Sequence, residues 1–319
     1  MRLYYPYSQY LKEKYHGKVY KLPVCLPVTC PNRTDGTGCA FCAGAGTGFE
    51  AQNPEADVTE QLQKAKEKIG AKYHPDRYLA YFQNYTNTFL PVEQFAAYIR
   101  EAAEMPELAG ISISTRPDCV HPSYLDVLRQ VQTEKGLGIS IELGLQTANY
   151  HTLAKINRGH SLGEYIDAVL QIKQYPGFEI CTHVILNLPW DGEEDAVETA
   201  KIITALGTDV VKLHSLYIAR GTEFARWYEE GRISICTKEE YFRRVILFLE
   251  HIPEDMAVER LFARIPEKES LFCNWGESWW KLRDELLEQM EKEGTWQGRL
   301  SGWRNGAALK KLPGLTGEC

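Results

Sequence analysis

Over residues 18–218 the chain alternates β-rich apolar segments with amphipathic helical ones at intervals of about 30 residues, too far apart for hairpins. "KVYKLPVCLPV" (18–28), "RYLAYFQNY" (77–85), "LAGISIST" (108–115), "GISIELGLQ" (138–146), "FEICTHVILNLP" (178–189) and "DVVKLHSLYI" (209–218) read as strands. Between them, Asp57 and Glu60 form a D-x-x-E capping box before a helix with Val58, Leu62, Ala65 and Ile69 on one face. Pro91 suits the first turn of a helix through Phe95, Ile99 and Ala102, and another helix runs through Leu125 and Leu128. Ser161 with Glu164 caps a helix through Ile166, Val169 and Ile172, and Glu193 to Leu206 forms the next. Six strand–helix units specify a parallel sheet but fall short of the closed eight-stranded barrel. An open or six-stranded α/β barrel is the reading, with a doubly wound sheet as the alternative.

The pattern changes after about residue 235, where a Thr237–Glu240 capping box opens a helix with Tyr241, Val245, Phe248 and Leu249 on one face. A short strand, "MAVERLFA" (256–263), and an amphipathic helix over 277–293 with Leu282, Leu286 and Met290 follow. Trp275, Trp279 and Trp280 read as packing anchors, and the Gly-rich end (301–319) as loosely ordered. The expected organisation is an N-terminal arm (1–17), a barrel (18–235) and a small α+β C-terminal extension (236–319).

No run of about 18 apolar residues exists and the start carries no apolar signal region, so no membrane span or secretory leader is predicted. Nine cysteines without a secretory context read as thiols in a cytoplasmic protein. A formal charge of −7 and a pI near 5.7 argue against an extended basic sheath for nucleic acid. Residues 1–24 nevertheless carry Arg2, Lys12, Lys14, Lys18 and Lys21 against Glu13 alone, either a local basic patch or a solvated arm.

Cys30, Cys39 and Cys42, in "CPNRTDGTGCAFC", follow the first strand with C-x8-C-x2-C spacing across a polar, turn-forming loop that brings the sulfurs together. A structural zinc wants four closed ligands, usually two pairs, and no second C-x2-C occurs; His16 or Cys25 would have to complete it. A [4Fe–4S] cluster has four irons normally held by four thiolates, so three leave one iron open to an exogenous ligand. That is the arrangement of enzymes in which S-adenosylmethionine (SAM) chelates the open iron and is reduced to a 5′-deoxyadenosyl radical. A zinc-clipped binding module and an iron–sulfur redox sensor are the competing readings.

The cysteine loop, "RYLAYFQNYTNTF", "STRPDCV", "ELGLQTANYHTLAKINRGH", "HVILNLP" and "VKLHSLYIARGT" together resemble the radical SAM family of small bacterial proteins related to the catalytic subunit of Elongator. The resemblance implies a partial (β/α)6, TIM-like radical SAM barrel with the cluster after the first strand and SAM across the strand ends. It implies iron ligation by Cys30, Cys39 and Cys42, with Phe41 beside the adenine. Asn84, Tyr85, Thr86, Asn87 and Thr88 would meet the SAM amino group, and Glu142 and Gln146 the ribose and methionine part. The segment holding His183 and Leu188 would offer backbone to the adenine. Arg116, Asp118, Arg158, His160, Lys212 and His214 would line the reaction pocket. For each the plain alternative stands: an internal Arg116–Asp118 ion pair, an "NRGH" loop held by hydrogen bonds, a buried His183.

Two departures stand out: the loop between the first two cysteines is shortened, and "LPWDG" puts Trp190 where the family has "LPGEG". Kinship to Elongator implies tRNA as partner and wobble uridine as target, with an electron donor such as flavodoxin or ferredoxin. Residues 236–319 leave no room for the acetyltransferase domain of the Elongator subunit. A reaction without acetyl-CoA is therefore expected, such as conversion of carboxymethylaminomethyluridine to aminomethyluridine. The basic arm, with Tyr4, Tyr5, Tyr7, Tyr10 and Tyr15, is the expected phosphate-and-stacking surface. A small-molecule substrate is the alternative.

Overall fold

The computed structural model describes residues 2–34, 36, 38–43, 53–264 and 267–303. The last stretch of the sequence, 304–319, expected to be loosely ordered, lies outside the described residues. Six strands follow the expected order: β1 (Val19–Cys25), β2 (Arg77–Gln83), β3 (Leu108–Thr115), β4 (Gly138–Gln146), β5 (Phe178–Ile185) and β6 (Val210–His214). Each pairs in parallel with the next. Helices α1 (Tyr7–Tyr15) and α2 (Pro31–Thr34) flank β1, and α3 (Val58–Tyr73), α4 (Val92–Ala103) and α5 (Pro122–Lys135) make the first three crossovers. Two helices, α6 (Tyr150–Lys155) and α7 (Leu162–Ile172), connect β4 to β5, and α8 (Glu193–Ala205) connects β5 to β6. The strand order never reverses, which excludes the doubly wound alternative; the sheet curls in one direction as a half-barrel.

A seventh strand joins this sheet. After a two-residue strand β7 (Ile218–Ala219), α9 (Glu223–Glu229) and α10 (Lys238–His251), the chain forms β8 (Ala257–Arg260), parallel to β6. The strand expected in a separate C-terminal extension is thus the far edge of the barrel sheet. The 30-residue rhythm concealed it, because β7 and α9 lengthen its crossover. Beyond it, β9 (Ser270–Phe272) pairs antiparallel with β7, and α11 (Trp279–Glu293) buries Leu282, Leu286 and Met290 in the main core.

Local signals held unevenly. Both capping boxes at Ser161–Glu164 and Thr237–Glu240 form. Asp57 occupies the N-cap of α3 without a side-chain capping bond, and Pro91 sits at the N-cap of α4 rather than inside its first turn. Trp275 packs on Tyr241 and Phe272, and Trp279 lies under the Arg264 guanidinium, whereas Trp280 is 55% exposed and anchors nothing through burial.

The N-terminal segment is not a solvated arm: it packs on the barrel, with Tyr5 buried and Tyr4, Tyr7, Tyr10 and Tyr15 half-buried. The Val258 N–H donates to the Tyr5 carbonyl at 2.8 Å, so the chain before α1 adds itself to the edge strand β8. Leu11 packs on Val19, Leu79 and Ala109, and Tyr5 on Cys181, Val210 and Ala257, all at or near the beginnings of strands. Lys14 pairs with Glu179 at 2.6 Å. α1 therefore plugs the N-terminal end of the lumen. Burial removes Tyr5 from any stacking surface and gains roughly 25 cal/mol for each Å² of apolar surface withdrawn from water, whereas Tyr4 and Tyr7 line a groove with Lys12, Lys18 and Lys21.

Candidate active site

With one end plugged, the lumen opens where the strands end. β1 runs out into the cysteine loop, and Cys30, Cys39 and Cys42 line one cavity with Arg33, Arg116 and Arg158. None of the three is in a disulfide. Arg158 Nη1 reaches Cys39 Sγ at 3.4 Å, Asn32 Nδ2 reaches the same sulfur at 3.5 Å, and Arg116 Nη1 lies 3.7 Å from Cys30 Sγ. Arg33 donates to the carbonyls of Cys42 and Ala43. Burial pushes the Cys42 thiol up, while the Arg33 and Arg158 guanidiniums oppose that and favour the thiolate.

These arginines are fixed from behind. Asp118 grips Arg116 in a two-pronged ion pair at 2.7 and 2.9 Å, and Arg116 Nη1 also donates to the Arg158 carbonyl. Arg158 donates twice to the Gly144 carbonyl, at 2.8 and 3.2 Å. A side chain at Gly144 would put its Cβ 2.5 Å from Arg158 Nη2, so the close approach requires glycine. His160 lies on the same Gly144 carbonyl through Nε2 (3.0 Å) and on the Ser161 carbonyl through Nδ1 (3.1 Å). Burial and the Arg158 charge lower its pKa to about 4, so the ring is neutral and its single N–H donates to one of these two carbonyls at a time.

The backbone around the cavity is unusual. Asn84 and Tyr85 at the end of β2, and Gln146 at the end of β4, hold positive φ of 72°, 51° and 77°. A register break between Gly144 and Gln146 accompanies the last of these. Side chains rarely adopt such angles, and their concentration at strand ends is typical of sites that position ligands. Asn84 and Thr86 line the cysteine cavity, and their Oδ1 and Oγ1 are buried without a hydrogen-bond partner among the described residues. By contrast, Asn87 Nδ2 donates to the carbonyls of Phe82, Asn84 and Ser114, and Thr88 bonds Thr115 and Cys119; these two hold the loop.

Deeper in the lumen lies an ion lattice. Fully buried Glu142 accepts from Lys21 Nζ (2.6 Å) and Ser112 Oγ (2.6 Å) on one oxygen, and from His183 Nε2 (2.7 Å) and Lys212 Nζ (3.1 Å) on the other. Glu259 accepts from the same two lysines at 2.6 and 2.8 Å. Burial alone would push Glu142 up, but Lys21 and Lys212 hold it well below the usual carboxylate range. Glu142, Cys181 and His183 also lie close enough to hold a metal ion, but two ammonium groups on the same carboxylate disfavour a dication there.

The sites predicted from the sequence thus separate by place. The three cysteines, Phe41, Asn84, Tyr85, Thr86, Arg116, Glu142, Gln146, Arg158 and His183 line the cysteine cavity. Lys212 and His214 line an adjoining cavity that shares Phe41, Tyr81, Gln146 and His183 with the first. Asp118, Asn87 and His160 support from behind. Leu188 is buried in an apolar cluster with Phe41, and its carbonyl accepts from the Asp191 N–H. Trp190 packs edge-on against Phe224 and Trp227. Lys21, Tyr81, Ser112, Arg33 and Glu259 were not anticipated. Their signal was a polar side chain within an apolar strand or next to a ligand cysteine.

Three free thiols, three guanidiniums and two unpartnered oxygens around one cavity suit an iron–sulfur cluster with an amino-bearing ligand beside it. The sequence profile of the Radical SAM superfamily matches residues 25–203, and that of the Radical_SAM C-terminal domain matches 208–292. The chain belongs to the radical SAM superfamily. Its members use a [4Fe–4S] cluster and SAM. Among full-length relatives, Bacillus subtilis YtqA is 32% identical over 300 residues, covering 93% of this chain and 92% of that protein. Escherichia coli YhcC is 34% identical over 296 residues, covering 92% and 93%. A tRNA-2-methylthio-N(6)-dimethylallyladenosine synthase of Chloroflexus aurantiacus is 23% identical over 273 residues, 83% of this chain and 53% of that enzyme. The solved structure of Elp3 from the archaeon Methanocaldococcus infernus superposes with a TM-score of 0.66 at 19% identity; the match covers 88% of this chain and 64% of that one. This radical SAM chain thus shares the Elp3 fold. No described helix is long and apolar enough to cross a membrane.

Proposed function

We propose that this radical SAM protein modifies the C5 substituent of wobble uridine in tRNA, converting carboxymethylaminomethyl to aminomethyl. Cys30, Cys39 and Cys42 would hold the cluster, which when bound supplies the electron that turns SAM into a source of a hydrogen-abstracting radical. Arg116 and Arg158 would keep the sulfurs anionic. Asn84 and Thr86 would accept hydrogen bonds from the SAM amino group, with Gln146 and Phe41 flanking it. Lys212 and His214 belong to the second cavity, where the substrate base would sit.

The observation that carries this reading is the continuity of the two cavities through Phe41, Tyr81, Gln146 and His183. A group bound in the second cavity lies directly beside the first, as radical transfer over a short path requires. Support for tRNA comes from the synthase relative, which acts on tRNA as its name states, and from the resemblance to Elongator-related proteins. Nucleoside mass spectrometry of tRNA from a deletion strain tests it. Accumulation of carboxymethylaminomethyluridine is expected, and unchanged wobble uridines would rule the reading out. Anaerobic reconstitution separates the competing classes, since a zinc module stays colourless and a redox sensor makes no 5′-deoxyadenosine.

A further inference from the structure

Consecutive residues of a strand ordinarily point to opposite faces of the sheet. At the end of β8 they do not. Val211 pairs with Val258, but the next residue of β6, Lys212, pairs with Arg260, so Glu259 is an extra residue on the bulged strand. The bulge brings two successive charged side chains to the lumen. Glu259 completes the lattice with Lys21 and Lys212, and Arg260 lines the second cavity with Lys212, His214 and Tyr217.

The lattice accounts for the lumenal lysines and glutamates, Lys21 and Lys212 each being shared between Glu142 and Glu259, while Arg264 at the cavity wall lies over the Trp279 ring. Arg260 stands outside the lattice. Among the described residues no carboxylate lies within ion-pair distance of its guanidinium. Burial, together with the charges of Arg260, Lys212 and neighbouring His183, pushes His214 well below its ordinary value, which keeps that ring neutral. The cavity therefore presents a planar two-pronged donor with no counter-ion among the described residues, beside a neutral imidazole and Tyr217. Such a fork matches a carboxylate or a phosphate.

We infer that Arg260 is a specificity residue that binds an anionic group of the substrate in the second cavity. Resting on the function proposed above, this group is the carboxylate of the carboxymethyl substituent. A phosphate of the polynucleotide shares the chemistry, and the test separates the two.

The holoenzyme, reconstituted anaerobically with SAM, is titrated calorimetrically with two phosphate-free nucleosides, 5-carboxymethylaminomethyluridine and its carboxylate-free twin 5-methylaminomethyluridine. The wild type should prefer the carboxylated nucleoside, and Arg260→Gln should lose that preference by about tenfold or more, the worth of a charge-assisted bond. Arg260→Lys, keeping charge without the fork, should fall between; it also serves if the glutamine variant fails to fold. Equal binding of the two nucleosides by the wild type, no binding of either, or a preference that survives in Arg260→Gln would overturn the assignment. If Arg260→Gln weakens intact tRNA while wild type ignores the nucleoside carboxylate, the residue holds a phosphate and the carboxylate assignment is lost. Failure of the tRNA reading shows separately, as unchanged wobble uridines in the deletion strain.

Discussion

Arg158 reaches Cys39 Sγ at 3.4 Å with one nitrogen while two others hold the Gly144 carbonyl, so a single buried guanidinium ties a ligand sulfur to the end of β4. Hydrogen bonds and positive charge at a cluster sulfur raise its reduction potential. Arg158→Gln should therefore bind iron but hold the cluster at a more negative potential, read by EPR-monitored redox titration. An unchanged potential would show that the contact to Cys39 does not persist in the holoprotein. Cys39→Ala should fail to retain the cluster at all.

Gly144→Ala should reproduce much of the Arg158 defect without touching the arginine. The added Cβ would lie 2.5 Å from Arg158 Nη2 and 2.8 Å from Gln146 Nε2, and both must move. Overpacking of this kind costs about 1–3 kcal/mol. Thermal unfolding reports that loss, and the cluster potential should shift in the same direction as in Arg158→Gln.

Glu142 makes stability depend on pH at both extremes. Its folded pKa is held well below 4.5, so its contribution is fully present above 4.5 and is lost as pH falls through the folded value. Lys21 works in the other sense: burial lowers it, Glu142 and Glu259 more than offset that, and its folded pKa lies well above 10.5. Its contribution holds below 10.5 and is lost at higher pH. Glu142→Gln leaves two lysines sharing Glu259 and should cost about 3–5 kcal/mol near neutrality. That deficit should shrink as acid protonates the wild-type carboxylate, which chemical denaturation across pH can follow.

The strands and their order were legible because buried parallel strands leave near-continuous apolar runs between amphipathic helices. The lumen was legible in a second way that position in the motifs obscured. Lys21, Tyr81, Ser112, Glu142, His183 and Lys212 each interrupt an apolar strand, and all project inward to one lattice. Charge counting groups Lys21 with the N-terminal cations because it ignores the face a residue occupies. The plug formed by α1 was hidden for a similar reason: its burial depends on contacts with the beginnings of several strands, and no local pattern encodes them. β8 escaped the count because the short strand β7 and helix α9 lengthen the crossover and break the spacing. The bulges at Leu145 and Glu259 leave no trace in composition, although they decide which side chains enter the cavities.

The α1 plug carries its own prediction. Tyr5→Ala removes a side chain packed on Cys181, Val210 and Ala257, and Leu11→Ala one packed on Val19, Leu79 and Ala109. Each should cost about 2–5 kcal/mol, as truncations in a core do. Because both lie at the closed end of the lumen, iron content after reconstitution should stay normal in whatever protein remains folded. If either variant weakened tRNA binding without lowering the unfolding temperature, these side chains would be acting as an RNA surface and not as a seal.

Trp190 stands where the resemblance leads one to expect glycine. Its ring packs on Phe224 and Trp227, with Lys155 Nζ 5.0 Å above it, and it lines neither cavity of the site. A bulky residue here therefore fills an aromatic cluster behind Phe41, which meets Phe224 edge-on. Trp190→Gly should cost stability, about 1–3 kcal/mol for a half-buried aromatic side chain, through lost packing. SAM affinity, measured by equilibrium dialysis on the reconstituted protein, should change by less than about threefold, since no cavity wall is removed. A marked gain in SAM affinity would instead mean that the indole obstructs the cofactor, and that the cluster of Trp190, Phe224 and Trp227 rearranges when SAM binds.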